Sequence, residues 1–290
     1  MTTLKPRILI IAGHDPSGGA GVDADRIALA GLALDAQFVV TAWTDQDDGA
    51  LRALGARASG EWLAEARAAL EPKLAAIKFG LLPGADHVRA ARELVRAARE
   101  RARAAHEREH AQLSGSKARG ANSEHTAVRP STLLPVIVDP VIGSSSGGRF
   151  LDADGIEALR SELCCVEIVL TPNLPEAAAL ACLPTRRIER SFAARVEAAQ
   201  VLLGLGCAAV VLKGGHGSED PVRDLVLARD AEPVWLEHAR VHGGKLRGSG
   251  CRFATRLAAG IALGQPLVDS AREAGEWVAA RIAEQAADEG

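Results

Sequence analysis

A series of short apolar runs, each followed by a polar or glycine-containing turn, limits what this 290-residue chain can fold into. Residues 8–12, 38–43, 75–79, 136–138, 166–170 and 208–212 are too short for helices and read as buried strands. Helical patterns lie between them, near 22–34, 64–74, 87–104, 152–163, 175–181 and 190–204, with two more at 250–263 and 267–286. Weaker strand patterns occupy 223–228 and 233–238. Apolar strands that alternate with helices predict an α/β fold, a central mostly parallel sheet with helices on both faces. In such sheets ligands bind beyond the carboxyl ends of the strands, so functional residues are expected just after each run.

Composition removes several classes. The chain is 48% hydrophobic and 24% charged, which fits a globular protein. A net charge of −3 argues against nucleic acid as a partner. Stretches of 18 apolar residues are absent, so no membrane span is expected. The segment before residue 8 lacks the series that marks a signal peptide. Five cysteines without C-x-x-C spacing suggest a reduced, cytoplasmic protein with neither disulfides nor zinc. Cys164 and Cys165 read as small core residues before a strand. The expected organisation is one domain over 1–290 with a flexible insertion at 104–131. That segment is polar and poor in large apolar residues, and its His106 and His110 have no evident third ligand.

Four turns carry chemistry, each with a plain alternative. Gly13 to Gly21 forms a glycine-rich strand-to-helix turn suited to a polar ligand at a helix N-terminus, or simply a tight turn. Gly248, Ser249 and Gly250 expose backbone N–H groups where a helix starts, a cradle for transferring phosphoryl charge. Cys251 follows in the first turn, where the helix N-terminus should lower a thiol pKa, unless it is only a buried cysteine. Asn173 and Glu176 sit at i, i+3 and suit either a hydrated Mg²⁺ or a capping box. Lys213 with Gly214 at a strand end can reach a nucleotide phosphate, or make an ordinary turn. Asp139 adds a carboxylate at the same sheet edge. A G-x-x-x-x-G-K-[ST] loop is missing, as is a G-x-S-x-G elbow.

Taken in order, AGHDPSGGAGVDAD (12–25), IKFGLL (77–82), VIVDPVIGSSSG (136–147), LTPNLPEAAAL (170–180), VVLKGGH (210–216) and GSGC (248–251) resemble one family. It is the hydroxymethylpyrimidine/phosphomethylpyrimidine kinase branch of the ribokinase-like superfamily, which serves thiamin synthesis. The resemblance spans almost the whole chain outside 104–131, and the closing Cys is specific, since most sugar kinases of the superfamily have Asp there. It implies ATP as co-substrate, Mg²⁺ as cofactor and a small pyrimidine as substrate, and it allows a homodimer. It further implies Cys251 as base and Gly248, Ser249 and Gly250 as anion hole. Asp139 and Glu176 would act on the metal, Asn173, Lys213 and Gly214 on the nucleotide, and Gly13, Asp15 and Gln46 on the pyrimidine.

The chain also departs from that family. Gln46 is flanked by Asp45, Asp47 and Asp48, where the family has small or neutral residues. Asp23-Ala24-Asp25 stands for QAD, Ser145 for a frequent Lys, and Leu246-Arg247 precedes the last motif in place of Thr or His. A pyridoxal kinase and a weakly catalytic pyrimidine or nucleotide binder are the alternatives. The acidic run predicts that the unphosphorylated alcohol is preferred over its monophosphate.

Overall fold

A computed structural model of the protein describes residues 5–46, 51–71, 74–116, 133–143 and 148–288. The elements run β1 (Arg7–His14), α1 (Gly21–Leu29), β2 (Asp35–Gln46), β3 (Leu51–Ala56), α2 (Ser59–Ala68), β4 (Leu74–Phe79), α3 (Ala85–Ser116), β5 (Val136–Val138) and α4 (Ala153–Ala158). They continue with β6 (Val169–Leu170), α5 (Leu174–Ala181), α6 (Thr185–Arg190), α7 (Phe192–Gly204), β7 (Ala209–Leu212), β8 (Val222–Ala228), β9 (Val234–His238), α8 (Ser249–Ala262) and α9 (Leu267–Asp288). One sheet takes the order β3-β2-β1-β4-β5-β6-β7-β8-β9. The strands from β2 through β7 in that order are parallel, and β3, β8 and β9 pair antiparallel at the two edges.

The period-2 geometry of a strand sends alternate side chains to opposite layers. Leu9, Ile11, Ile77 and Phe79 pack in the layer that holds α2, α3, α5 and α7. Ile8, Ile10, Ala12 and Ala76 pack in the layer of α1, α8 and α9. Both faces are therefore sealed, which explains why the strands read as unbroken apolar runs. β2 and β4 lie on opposite sides of β1, so the chain reverses its winding there. The carboxyl ends of β1 and β4 border the crevice that this reversal opens.

Several boundaries differ from the sequence reading, each for a physical reason. α1 stops at Leu29, and β2 is longer than expected because it runs out along β3. α2 lies at Ser59–Ala68, several residues before the expected helix, and β3 was not anticipated because its LRALGA sequence lacks alternation. The helix expected over 152–163 is α4 followed by a wide π-type turn, Leu159–Leu163. The strand expected from 166 begins only at Val169, after a 3-10 turn. Cys164 is buried as expected, but Cys165 is exposed.

The expected insertion starts as helix, since α3 runs to Ser116. Ala, Glu, Arg and Gln are strong helix formers, so a polar stretch can stay helical without packing. Residues 117–132 lie outside the described residues. His106 is on this helix. Among the described residues no three His, Cys, Asp or Glu side chains cluster as a metal site, and no helix is long and apolar enough to cross a membrane.

Trp62 of α2 is fully buried and stacks on His87 of α3, with ring centroids 6.3 Å apart. Replacing Trp62 with Ala should destabilise the fold by about 3–5 kcal/mol. A lowered urea midpoint at unchanged slope would show it.

Candidate active site

Charged side chains gather where the parallel strands end. Asp139 follows β5 and Lys213 follows β7, and Lys213 Nζ lies 2.7 Å from Asp139 Oδ1. Thr171, after β6, donates its hydroxyl to Val138 O at 3.3 Å. Burial disfavours the Lys213 charge, but Asp139 and Glu176 outweigh it and hold its pKa above the usual value.

Asn173 and Glu176 form the capping box of α5. Asn173 Oδ1 accepts from the Glu176 N–H at 2.9 Å, and Glu176 Oε2 accepts from the Asn173 N–H at 2.8 Å. The plainer of the two sequence readings is thus realised, but the second is not displaced by it. Burial, opposed by Lys213 and reinforced by Asp139, pushes the Glu176 carboxyl up to about 7.

α8 begins directly over this cluster. Gly248 is its N-cap with φ of 69°, a left-handed conformation that favours glycine. The first-turn N–H groups of a helix have no partner within it; that of Ser249 donates back to Leu246 O at 3.2 Å, and those of Gly250 and Cys251 are left to the cleft. A Cβ on Gly250 would lie 3.1 Å from Lys213 Nζ and 3.7 Å from Asp139 Oδ2, so the helix start and the ion pair share one small space. Cys251 is half-buried. Burial pushes its thiol up to about 12, with Lys78 the strongest of the charges acting the other way. Burial thus moves the thiol in the direction opposite to the lowering expected from the helix N-terminus.

Two arginines tie the β1–α1 turn to this helix start. Arg247 Nη2 lies 2.6 Å from Asp15 Oδ2, and Asp15 Oδ1 accepts from the Ser17 N–H at 3.1 Å and the Ser17 hydroxyl at 2.9 Å. Arg252 Nη1 donates to Gly19 O at 2.9 Å. Asp15 is 2% exposed, so its carboxylate holds the two loops together. Gly13, the penultimate residue of β1, packs against Leu81. Gln46 is the last residue of β2, with its side chain outside the described residues, as are Asp47, Asp48 and Ser145.

Gly214 also has a packing role that the sequence did not reveal. Its N–H donates to Asp224 Oδ1 at 2.6 Å, and a Cβ there would lie 2.0 Å from Arg223 O. It is buried against β8, where close backbone approach demands glycine, and its N–H is not offered to a nucleotide. A cleft of about 780 Å³ between α2, α3 and α4 is lined by none of the candidate site residues.

Sequence reasoning missed Lys78 and Asp25. Both are fully buried, and Lys78 Nζ lies 3.0 and 3.1 Å from the two oxygens of Asp25. Thr255 of α8 donates to Asp25 Oδ1 at 2.7 Å. The available signals were a lysine inside the apolar run LAAIKFGLL and an acid on the apolar face of α1, beside Val22 and Ala28.

The structure of Staphylococcus aureus pyridoxal kinase with AMP-PCP and pyridoxal is similar in fold. It matches with a TM-score of 0.74 at 24% identity, over 96% of this chain and 87% of that one. Sheet order, helix layers and this likeness define a ribokinase-like fold. The sequence profile of the phosphomethylpyrimidine kinase family matches residues 122–289. The hydroxymethylpyrimidine/phosphomethylpyrimidine kinase of Streptomyces coelicolor is 30% identical over 278 residues, 96% of this chain and 88% of that protein. The enzyme of the same name from Escherichia coli K12 is 27% identical over 95% of this chain and 90% of that protein. The chain belongs to the phosphomethylpyrimidine kinase family.

The raised Glu176 pKa has a stability consequence with a definite sign. The fold favours the neutral carboxyl, so this contribution is full below about pH 4.5 and is lost as pH rises to about 7. Glu176→Gln keeps an acceptor for the capping box and should flatten the fall in unfolding midpoint between pH 5 and 7. Parallel slopes in the two proteins would contradict it.

Proposed function

We propose that this chain transfers the γ-phosphoryl group of ATP to the hydroxymethyl group of 4-amino-5-hydroxymethyl-2-methylpyrimidine, and that it serves thiamin synthesis in the cytoplasm. The observation that carries the reading is the start of α8, where the Gly248–Gly250 backbone and Cys251 sit over the Lys213–Asp139 pair. Phosphoryl transfer needs positioning and charge stabilisation more than covalent chemistry. Backbone N–H groups of Gly248 and Gly250, with that of Ser249 once it leaves Leu246 O, would receive the transferring oxygens, and Lys213 would meet the nucleotide phosphates after releasing Asp139. The pyrimidine would lie beside Gly13, between β1 and the Asp15–Arg247 bridge, at the end of the crevice where β2 also finishes.

Mg²⁺ fits the donor set. Asp139 and Glu176 crowd two carboxyls at one edge, and burial with the Asp139 charge raises the Glu176 pKa, as expected where a cation is wanted. Those two residues and Asn173 would hold the hydrated ion, which supplies charge neutralisation at the β- and γ-phosphates when bound. Cys251 would accept the hydroxyl proton on Sγ. Because the transition state is loose, that proton leaves late, and a sparsely populated thiolate suffices.

The pyridoxal reading is favoured by the structural likeness to pyridoxal kinases, so an ADP-release assay should carry both alcohols, the pyrimidine monophosphate and ribose. The pyrimidine alcohol is expected to be used best. Cys251→Ala should lower kcat by about 100-fold or more with KM within threefold. Because burial puts the thiol near 12, wild-type kcat should keep rising from pH 7 to 9 if thiolate is the active form. Ribose as the best substrate, or Cys251→Ala turnover within threefold of wild type, would overturn the reading.

A further inference from the structure

An ion pair sealed in an apolar layer is a poor choice for stability alone. Similar-sized apolar residues usually serve as well or better, because the two charges give up their hydration. The place of Lys78 and Asp25 therefore needs an explanation. Lys78 is the penultimate residue of β4, and its side chain enters the layer between the sheet, α1 and α8. Asp25 reaches it from α1, and Thr255 completes the contact from α8. Cys251 lies four residues before Thr255, one turn up the same face of α8. A Cβ on Gly80 would lie 3.1 Å from Lys78 Nζ, which places the ammonium at the carboxyl edge of the sheet and not deep beneath it.

We infer that Lys78 is a positioning residue for phosphoryl transfer: held by Asp25 and Thr255, its ammonium sets positive charge beneath the first turn of α8, where Cys251 and the Gly248–Gly250 backbone meet the reacting groups. The inference rests on the proposed transfer at that helix start. Charge fixed in a dry site acts at full strength and needs no rearrangement as the reaction proceeds. Asp25 opposes it, so the pair works as a dipole, and its positive end must face Cys251 for the arrangement to help. The Cys251 thiol responds more strongly to Lys78 than to Asp25, as that orientation requires. Burial works against the Lys78 charge, but Asp25, with Cys251 and Asp139, outweighs it and keeps Lys78 protonated.

Opposite effects of the two partners separate this role from a merely structural one. In a Cys165→Ser/Cys182→Ser background, which removes the exposed thiols, the iodoacetamide reaction rate at pH 8 reads the reactivity of Cys251. Asp25→Asn removes the opposing charge and should speed alkylation. Lys78→Met/Asp25→Leu removes the whole dipole with little change of shape and should slow it by about tenfold, the effect of one pKa unit. The double variant should also lose kcat by about 100-fold, as when one preorganised donor is removed, with KM within threefold and a melting temperature at or above wild type. Alkylation shifts of the same sign in both variants, or a kcat loss under threefold in the folded double variant, would overturn the assignment. Should one variant fail to fold, the other decides. Alkylation needs no substrate, so a wild type that phosphorylates none of the tested alcohols refutes the substrate reading and leaves this test intact.

Discussion

The ammonium of Lys78 lies in an apolar layer, and β4, α1 and α8 keep their relative places because Asp25 and Thr255 meet it there. Removing one member of such a pair leaves a buried charge unanswered, at a cost of about 3–5 kcal/mol. The three elements that share the contact also supply the edge of the β1–β4 crevice, the turn behind Gly13 and the helix that starts at Gly248. A displacement of any one would move the start of α8 relative to the strand ends. The geometry of the site thus depends on a contact lying just outside it.

Above that contact the site is held under opposing electrostatic demands. Asp139 and Glu176 crowd one edge, and Lys213 answers both. Lys213 and Asp139 pair with one another at 2.7 Å. The loops that close around the site are fixed by arginines, Arg247 on Asp15 and Arg252 on Gly19. Guanidinium groups suit this task because they stay charged and donate in several directions at once.

The parts of this arrangement that follow a local rule were legible in the chain. Short apolar runs gave the parallel strands, since a strand buried on both faces must be apolar at every position. Glycines before Cys251 marked the helix start, and Asn173 with Glu176 marked the cap of α5. What was not legible required knowing which distant segments meet. β3 follows no alternation and exists because β2 extends beyond the sheet to pair with it. Gly214 looked like a phosphate contact, yet β8 crosses it so closely that only glycine fits. Cys251 looked activated by its helix, yet burial pushes its thiol upward.

The sequence by itself determined the fold class, the family, the strand ends after which Asp139, Asn173 and Lys213 stand and the helix start that holds Cys251, because periodicity, turn chemistry and ordered motifs are local properties. Only the tertiary structure decided how those groups are charged and what they touch. It joined Lys78 to Asp25 across 53 positions of sequence and Asp15 to Arg247 across 232. The physical reason is that burial and ion pairing depend on every element packed around a group, and long-range contacts leave no periodic trace in the chain.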